Sequence, residues 1–164
     1  FSFKIMCEAQ RSINFNCVTM PNFEIKTHRS GRTYQKPHFF ILNKGLNSGK
    51  PMRKPCPNCF VITAANEEER QTLFYLCLSL KIGRYFAYYL KGSVIPFITK
   101  NDCLKVLKTA YFQNSKDDKL LQKHIYTISQ IEKKEELLKQ NLESIKQLKV
   151  AFIQCYFRDK SKVV

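Results

Sequence analysis

From Phe23 the chain alternates apolar and polar residues through Phe23-Glu24-Ile25-Lys26-Thr27, the period of a short strand with one buried face. Ser30-Gly31 supplies a turn and the stretch to Lys36 reads as basic loop. Pro37-His38-Phe39-Phe40-Ile41-Leu42 is apolar without alternation and bounded by Pro and Gly, which predicts a strand buried on both faces. Residues 43–57, with Gly45, Gly49, Pro51 and Pro55, read as a loop, and 59–64 as a third strand. Asn66 followed by Glu67, Glu68 and Glu69 is a helix start, a cap with acids in the first turn. Leu73, Leu76, Cys77 and Leu80 continue that helix at helical spacing until Gly83 ends it. Tyr85 to Leu90 has no assignable period. Val94 to Ile98 reads as a short extended segment that Pro96 restricts to a sheet edge. Asn101 or Asp102 then caps a brief helix through Leu104 and Leu107.

The clearest pattern lies at the end. From Lys116 to Phe157 there is no Gly and no Pro, and Ile131, Leu138, Ile145 and Phe152 recur every seven residues. Ile128 and Leu142 complete a coiled-coil-like stripe, interrupted at Glu135 and Lys149. About forty residues would span roughly 60 Å, too long for a small domain to cover. The helix either packs on its own domain, folds back as a hairpin, or is covered by a partner helix through Ile128, Ile131, Leu138, Leu142, Ile145 and Phe152.

These elements predict an α+β fold: a small mixed sheet with short helices, followed by a long amphipathic helix. Met20-Pro21 resembles a translation start, so residues 1–21 are expected to be an extension outside the core. The compact domain is expected over 22–112, the helix over 116–158 and a tail over 159–164. With 44% hydrophobic residues, thirteen Phe and eight Tyr, the chain is far from a disordered composition. No apolar run approaches a membrane span, and no signal peptide is evident, which leads us to expect a cytoplasmic protein with no membrane partner.

Charge changes the picture. The net charge is +15, and residues 1–60 carry 10 basic against 2 acidic side chains, net +8. A cationic segment of this kind suits a phosphate polyanion, against the simpler alternative of a generally basic, solvated surface. The candidate nucleic-acid face combines Lys26, Arg29, Arg32, Tyr34, Lys36, Lys44, Asn47, Ser48, Lys50, Arg53 and Lys54, with Ser93. Lysine and arginine would neutralise phosphates, Tyr34 would stack, and Asn47 has the bidentate geometry for adenine. The aromatic segment Tyr85 to Tyr89 offers a single-strand alternative.

Three motifs narrow the chemistry. Gly45-Leu46-Asn47-Ser48-Gly49-Lys50 follows a buried strand as a phosphate-binding loop does, but that loop has four residues between its glycines and a hydroxyl after the lysine. Here three intervene and Pro51 follows, so nucleotide hydrolysis is excluded. What is left is a flexible loop whose free backbone N–H groups and lysine would suit a single phosphate. Cys56-Pro57-Asn58-Cys59 is a CxxC knuckle. It reads as a turn with reduced thiols, as half of a zinc site completed by His28 and His38, or as a redox pair. The seven cysteines are odd in number and several sit among apolar neighbours, as reduced buried thiols do. The histidines are scattered and no nucleophile motif surrounds them, so neither an enzyme nor a cofactor is expected.

Two resemblances follow. The segments Lys36 to Pro51, Pro55 to Cys59 and Gly92 to Ile98 resemble a family of small bacterial proteins known only as a domain of unknown function, over most of residues 22–158. The order of parts is also similar to half of a type I restriction specificity subunit, a target-recognition domain followed by a spacer helix. The strand before Lys44-Gly45 with the Ser48-Gly49-Lys50 turn, the helix at Leu73 to Leu80, the Gly92-Ser93 to Asp102-Leu104 segment and the helix from Ile125 to Phe157 carry that second likeness. It implies a restriction-modification setting: double-stranded DNA as ligand, and a homodimer or larger protein partner held through the C-terminal helix. The alternative is an interaction adaptor in which the helix is the working surface and the charge is incidental.

Overall fold

The structure is a computed structural model that describes residues 23–114 and 118–160; the expected extension and tail lie outside the described residues, apart from Asp159 and Lys160 at the helix end. The chain divides between Lys116 and Asp117 into two units. The first holds β1 (Glu24–Thr27), β2 (His38–Leu42), β3 (Pro51–Met52), β4 (Cys59–Thr63), α1 (Glu67–Ile82), a 3-10 helix (Tyr85–Tyr89) and α2 (Lys100–Asn114); the second is α3 (Asp118–Lys160). The α+β class holds, and α3 runs as one 43-residue helix without a hairpin.

The sheet order is β1-β4-β2-β3 and every ladder is antiparallel, so the mixed sheet expected from sequence is antiparallel in each pairing. The short β3 lies in the stretch expected to be loop. Two residues are too few for a period to show, and it is defined by Met52 and Pro51 pairing with Phe40 and Ile41. Directly opposed residues share a face. Lys26, Val61, Phe40 and Met52 therefore form one rung, and Ile25, Ile62 and Phe39 another on the opposite side.

The second face meets the helices. Phe39 meets Phe74 of α1 edge to face, ring centres 5.5 Å apart. Phe39, Ile41 and Ile62 are fully buried, each worth about 2 to 3 kcal/mol of transfer free energy. The first face is packed, among the described residues of this unit, by side chains from connecting segments. β4 lies between β1 and β2, and β2 between β4 and β3, so β1 and β2 are parallel and so are β3 and β4. Residues 28–37 and 53–58 must each return along the sheet to make those connections. Tyr34 from the first return and Cys56 from the second pack on Phe40, Cys59 and Val61, so both run over this face. Buried on two sides, β2 needs no polar alternation, as its sequence shows.

Asn66 caps α1 as expected: its Oδ1 accepts from the Glu69 amide at 2.8 Å, and Glu69 Oε2 accepts from the Ala65 amide at 2.9 Å. Arg70 grips the Glu67 carboxylate with two nitrogens and holds it at a pKa of about 2. The cap of α2 is Thr99, not Asn101 or Asp102. Its hydroxyl accepts from the Asp102 amide at 3.2 Å and donates to Asp102 Oδ2 at 2.7 Å. Asp102 thus sits at the third helical position and answers the cap instead of making it. The helix runs on to Asn114, beyond the brief element expected.

Residues 94–98 are not a sheet strand. Lys91 and Phe97 exchange backbone hydrogen bonds of 2.8 Å each way around Gly92 at φ 89°, closing a small loop of their own. Phe97 also makes a lone bridge to Lys44. Proline at 96 lacks the amide that would extend this contact into a ladder.

Candidate polyanion-binding surface

The residues expected to bind nucleic acid fall into three places. Lys26 is on β1 in the rung of Val61 and Phe40, Arg29, Arg32, Tyr34 and Lys36 are on the 28–37 return, and Lys54 is on the 53–58 return; these two returns pack Tyr34 and Cys56 on that same face. Lys44, Asn47, Ser48 and Lys50 lie in the turn between β2 and β3. Arg53 is on the helix side, its guanidinium 5.0 Å from the ring centre of Phe74. Ser93 is exposed in the small loop closed by Lys91 and Phe97. The set assumed from sequence to be one face is therefore distributed over several.

The 28–37 return is anchored by an aromatic cluster. Tyr34 and His28 Nδ1 share a hydrogen bond of 3.0 Å, and His38 Nδ1 donates to the Lys36 carbonyl at 2.9 Å. The rings of His28, Tyr34 and His38 all pack around Phe40, with centroid separations of 5.2 to 6.2 Å. Tyr34 is half-buried in this cluster, so it serves as the post of the loop and is not a free stacking platform. Around the post the cations point outward. Arg29, Arg32, Lys36 and Lys54 are exposed, and no ion pair ties them among the described residues. Lys26 pairs with Glu24 at 2.6 Å, and that lysine, with a smaller contribution from Lys36, holds the Glu24 carboxyl below its ordinary pKa. Glu24 is the only acid between Ala9 and Asn66 in the sequence.

The 45–50 turn is braced by backbone hydrogen bonds. The Gly45 amide donates to Pro96 at 2.7 Å, Ser48 to Gly45 at 3.0 Å, Gly49 to Leu42 at 2.8 Å and Lys50 to Asn47 at 3.0 Å. Those four N–H groups are committed within the protein and are not the free donors expected from sequence. Ser48 is fully buried, and its hydroxyl donates to the Gly45 carbonyl at 2.7 Å, so it makes no outward contact. Lys81, which sequence reasoning missed, reaches from the last turn of α1 to the carbonyls of Leu46 (3.3 Å) and Ser48 (3.0 Å). Partial burial and then the neighbouring Lys50 lower its pKa. Its position beside the terminal Gly83 was the available signal, since cations gather where helix carbonyls are unpaired. Lys44, Asn47 and Lys50 remain exposed at this turn.

In the CxxC knuckle, Cys59 Sγ donates to the Cys56 carbonyl at 2.9 Å and accepts from the Cys56 amide at 3.5 Å. Cys59 is buried beneath the returns, which raises its pKa, and both thiols are free. Among the described residues no three His, Cys, Asp or Glu side chains are placed to share a metal ion. His28 and His38 instead spend their Nδ1 atoms on Tyr34 and Lys36. On α3, Ile131, Leu138, Leu142, Ile145 and Phe152 are exposed and Ile128 is half-buried. No helix among the described residues is long and apolar enough to cross a membrane.

No curated protein and no solved structure matches the chain. The model of one protein family does, over residues 25–155, which spans the sheet, the short helices and most of α3. The chain belongs to that family, a family of unknown function (DUF6943).

Proposed function

We propose that the protein is a non-catalytic nucleic-acid-binding module that holds duplex DNA against the loop-covered side of its sheet. One observation carries the reading: Arg29, Arg32, Lys36 and Lys54 are exposed on the two returns whose Tyr34 and Cys56 pack on one sheet face, and no ion pair ties them among the described residues. Cations held this way on a braced loop suit the repeating charge of a phosphate backbone. Lys44 and Lys50 at the β2–β3 turn form a separate, second cationic point. In its more specific form the proposal takes the module as one half of a specificity-type assembly, with α3 as the spacer that joins it to a second copy or a larger enzyme.

Fluorescence anisotropy of labelled duplex DNA, titrated at several salt concentrations, tests the proposal. Binding that weakens linearly in log–log form with salt supports it, with about 0.9 in slope for each phosphate neutralised. Absence of binding at low salt, or affinity indifferent to salt, overturns it and leaves the adaptor reading, in which the exposed stripe of α3 is the working surface. The same titration with single-stranded DNA or RNA separates strand types.

A further inference from the structure

We infer that α3 pairs with α3 of a second copy in antiparallel orientation, with Leu142 near the centre of the pair. The inference deepens the part of the proposal above that gives α3 a partner, and it does not depend on DNA binding.

In α3 the apolar residues Ile131, Leu138, Ile145 and Phe152 hold one position of a seven-residue repeat, and Ile128, Leu142 and Tyr156 hold the other. The second position is occupied between them by Glu135 and Lys149. All except Ile128 are exposed, with Leu138 at 66%, Ile145 at 62% and Phe152 at 72%, so the stripe is open over its whole middle. The two charges stand seven residues on either side of Leu142. That placement distinguishes orientations.

In a parallel, in-register pair each residue of the stripe faces its own copy. Glu135 would face Glu135 and Lys149 would face Lys149, two like-charge layers inside the seam. Reversing one helix about Leu142 removes both conflicts. With Leu142 layered against Ile145 of the second copy, Lys149 of that copy falls opposite Leu138. It is then about 4.5 Å along the axis from Glu135, within reach of a Glu–Lys pair. Symmetry gives the same pair twice. The antiparallel arrangement does bring Lys139 near Lys146 of the second copy on one flank. That contact is at the solvated edge, where salt screens it, whereas the parallel conflicts would be desolvated. Charged residues in the repeat weaken a seam but select its orientation, and here they select the reversed one.

Sedimentation of the full chain, combined with charge exchange, tests this. The wild type is expected to dimerise. Glu135→Lys alone and Lys149→Glu alone each place like charges at both pairs and should raise the dimer Kd tenfold or more. The double exchange should restore it to within about twofold of wild type. Circular dichroism confirms that each variant keeps its helix. A bifunctional thiol reagent with a short arm supplies the orientation: Cys155 is exposed, and the two copies lie roughly 35 Å apart along the axis in the antiparallel pair. Absence of a Cys155-dependent cross-link, judged against Cys155→Ser, is expected. A monomer at all concentrations overturns self-pairing itself. A dimer indifferent to the exchanges, or one that cross-links through Cys155, overturns the antiparallel seam.

Discussion

The backbone of Gly49 lies flat against the ring of Phe86: a methyl group built on its Cα would stand 2.5 Å from Cδ2 and 2.6 Å from Cγ. Phe86 is itself almost fully buried, so the ring has no room to retreat. Gly49 also has φ 88°, a conformation that side chains disfavour. Gly49→Ala should therefore cost about 3 kcal/mol, from backbone strain and overpacking together. Gly45→Ala, at φ 97° but with nothing within 4 Å of the added carbon, should cost only about 1 kcal/mol. Thermal unfolding of the two variants checks the difference.

Removing the hydroxyl in Tyr34→Phe leaves the ring packed on Phe40 and deletes the bond to His28, so a loss of about 1 kcal/mol is expected. Tyr34→Ala removes the post as well and should cost about 3 kcal/mol. If Tyr34 anchors the return and does not touch DNA, Tyr34→Phe will leave the DNA affinity of the folded protein unchanged. Urea unfolding and anisotropy on the same samples separate the two roles.

Asp102 links the cap of α2 to Lys91, 3.0 Å away, and the Thr99 hydroxyl, followed by Lys91, holds its pKa below the ordinary 3.8. A carboxylate with a depressed folded-state pKa stabilises the fold above its unfolded value, and the contribution is lost as pH falls through the folded one. Asp102→Asn should thus be less stable than wild type at pH 5 and above, with the gap closing below about pH 4. Denaturation midpoints across that range decide it. Thr99→Ala should lose about 1 kcal/mol at neutral pH.

On DNA, the triple substitution Arg29→Gln, Arg32→Gln, Lys36→Gln should lower the salt slope by about 2.7, as three lost phosphate contacts require. Arg53→Gln, drawn from the helix side of the sheet, should leave the slope unaltered. The comparison is made by anisotropy over a range of salt concentrations.

Much of the architecture was legible because local signals agreed. Asn66 with its three glutamates marks α1 at both the cap and the dipole level, and β2 reads as doubly buried because it is. The helix α3 is legible from the absence of breakers alone. The site was less so. Charge along the chain located the cations, but which face each one takes depends on the β4 insertion between β1 and β2, and no local pattern encodes that pairing. Arg53 and Lys54 are neighbours in sequence, yet the former stacks on Phe74 while the latter is exposed on the return. Similarly, Gly45 to Lys50 resembled a ligand loop because a turn braced internally and one open to phosphate use the same residues. The difference lay in remote partners, Pro96, Lys81 and Phe86.

The insertion of β4 between two parallel neighbours also orders events in time. As the chain emerges during synthesis, β1 appears first yet has no strand to pair with until Cys59–Thr63 follows, since it bonds to β4 alone. The hairpin of β2 and β3 can close locally, whereas β1 can pair only once β4 is in place. Formation of this sheet therefore waits on a late segment, and contacts of that span slow folding more than they add to stability. Substitutions in β4 should then slow refolding, while those at Ile25 of β1 should act chiefly by hastening unfolding.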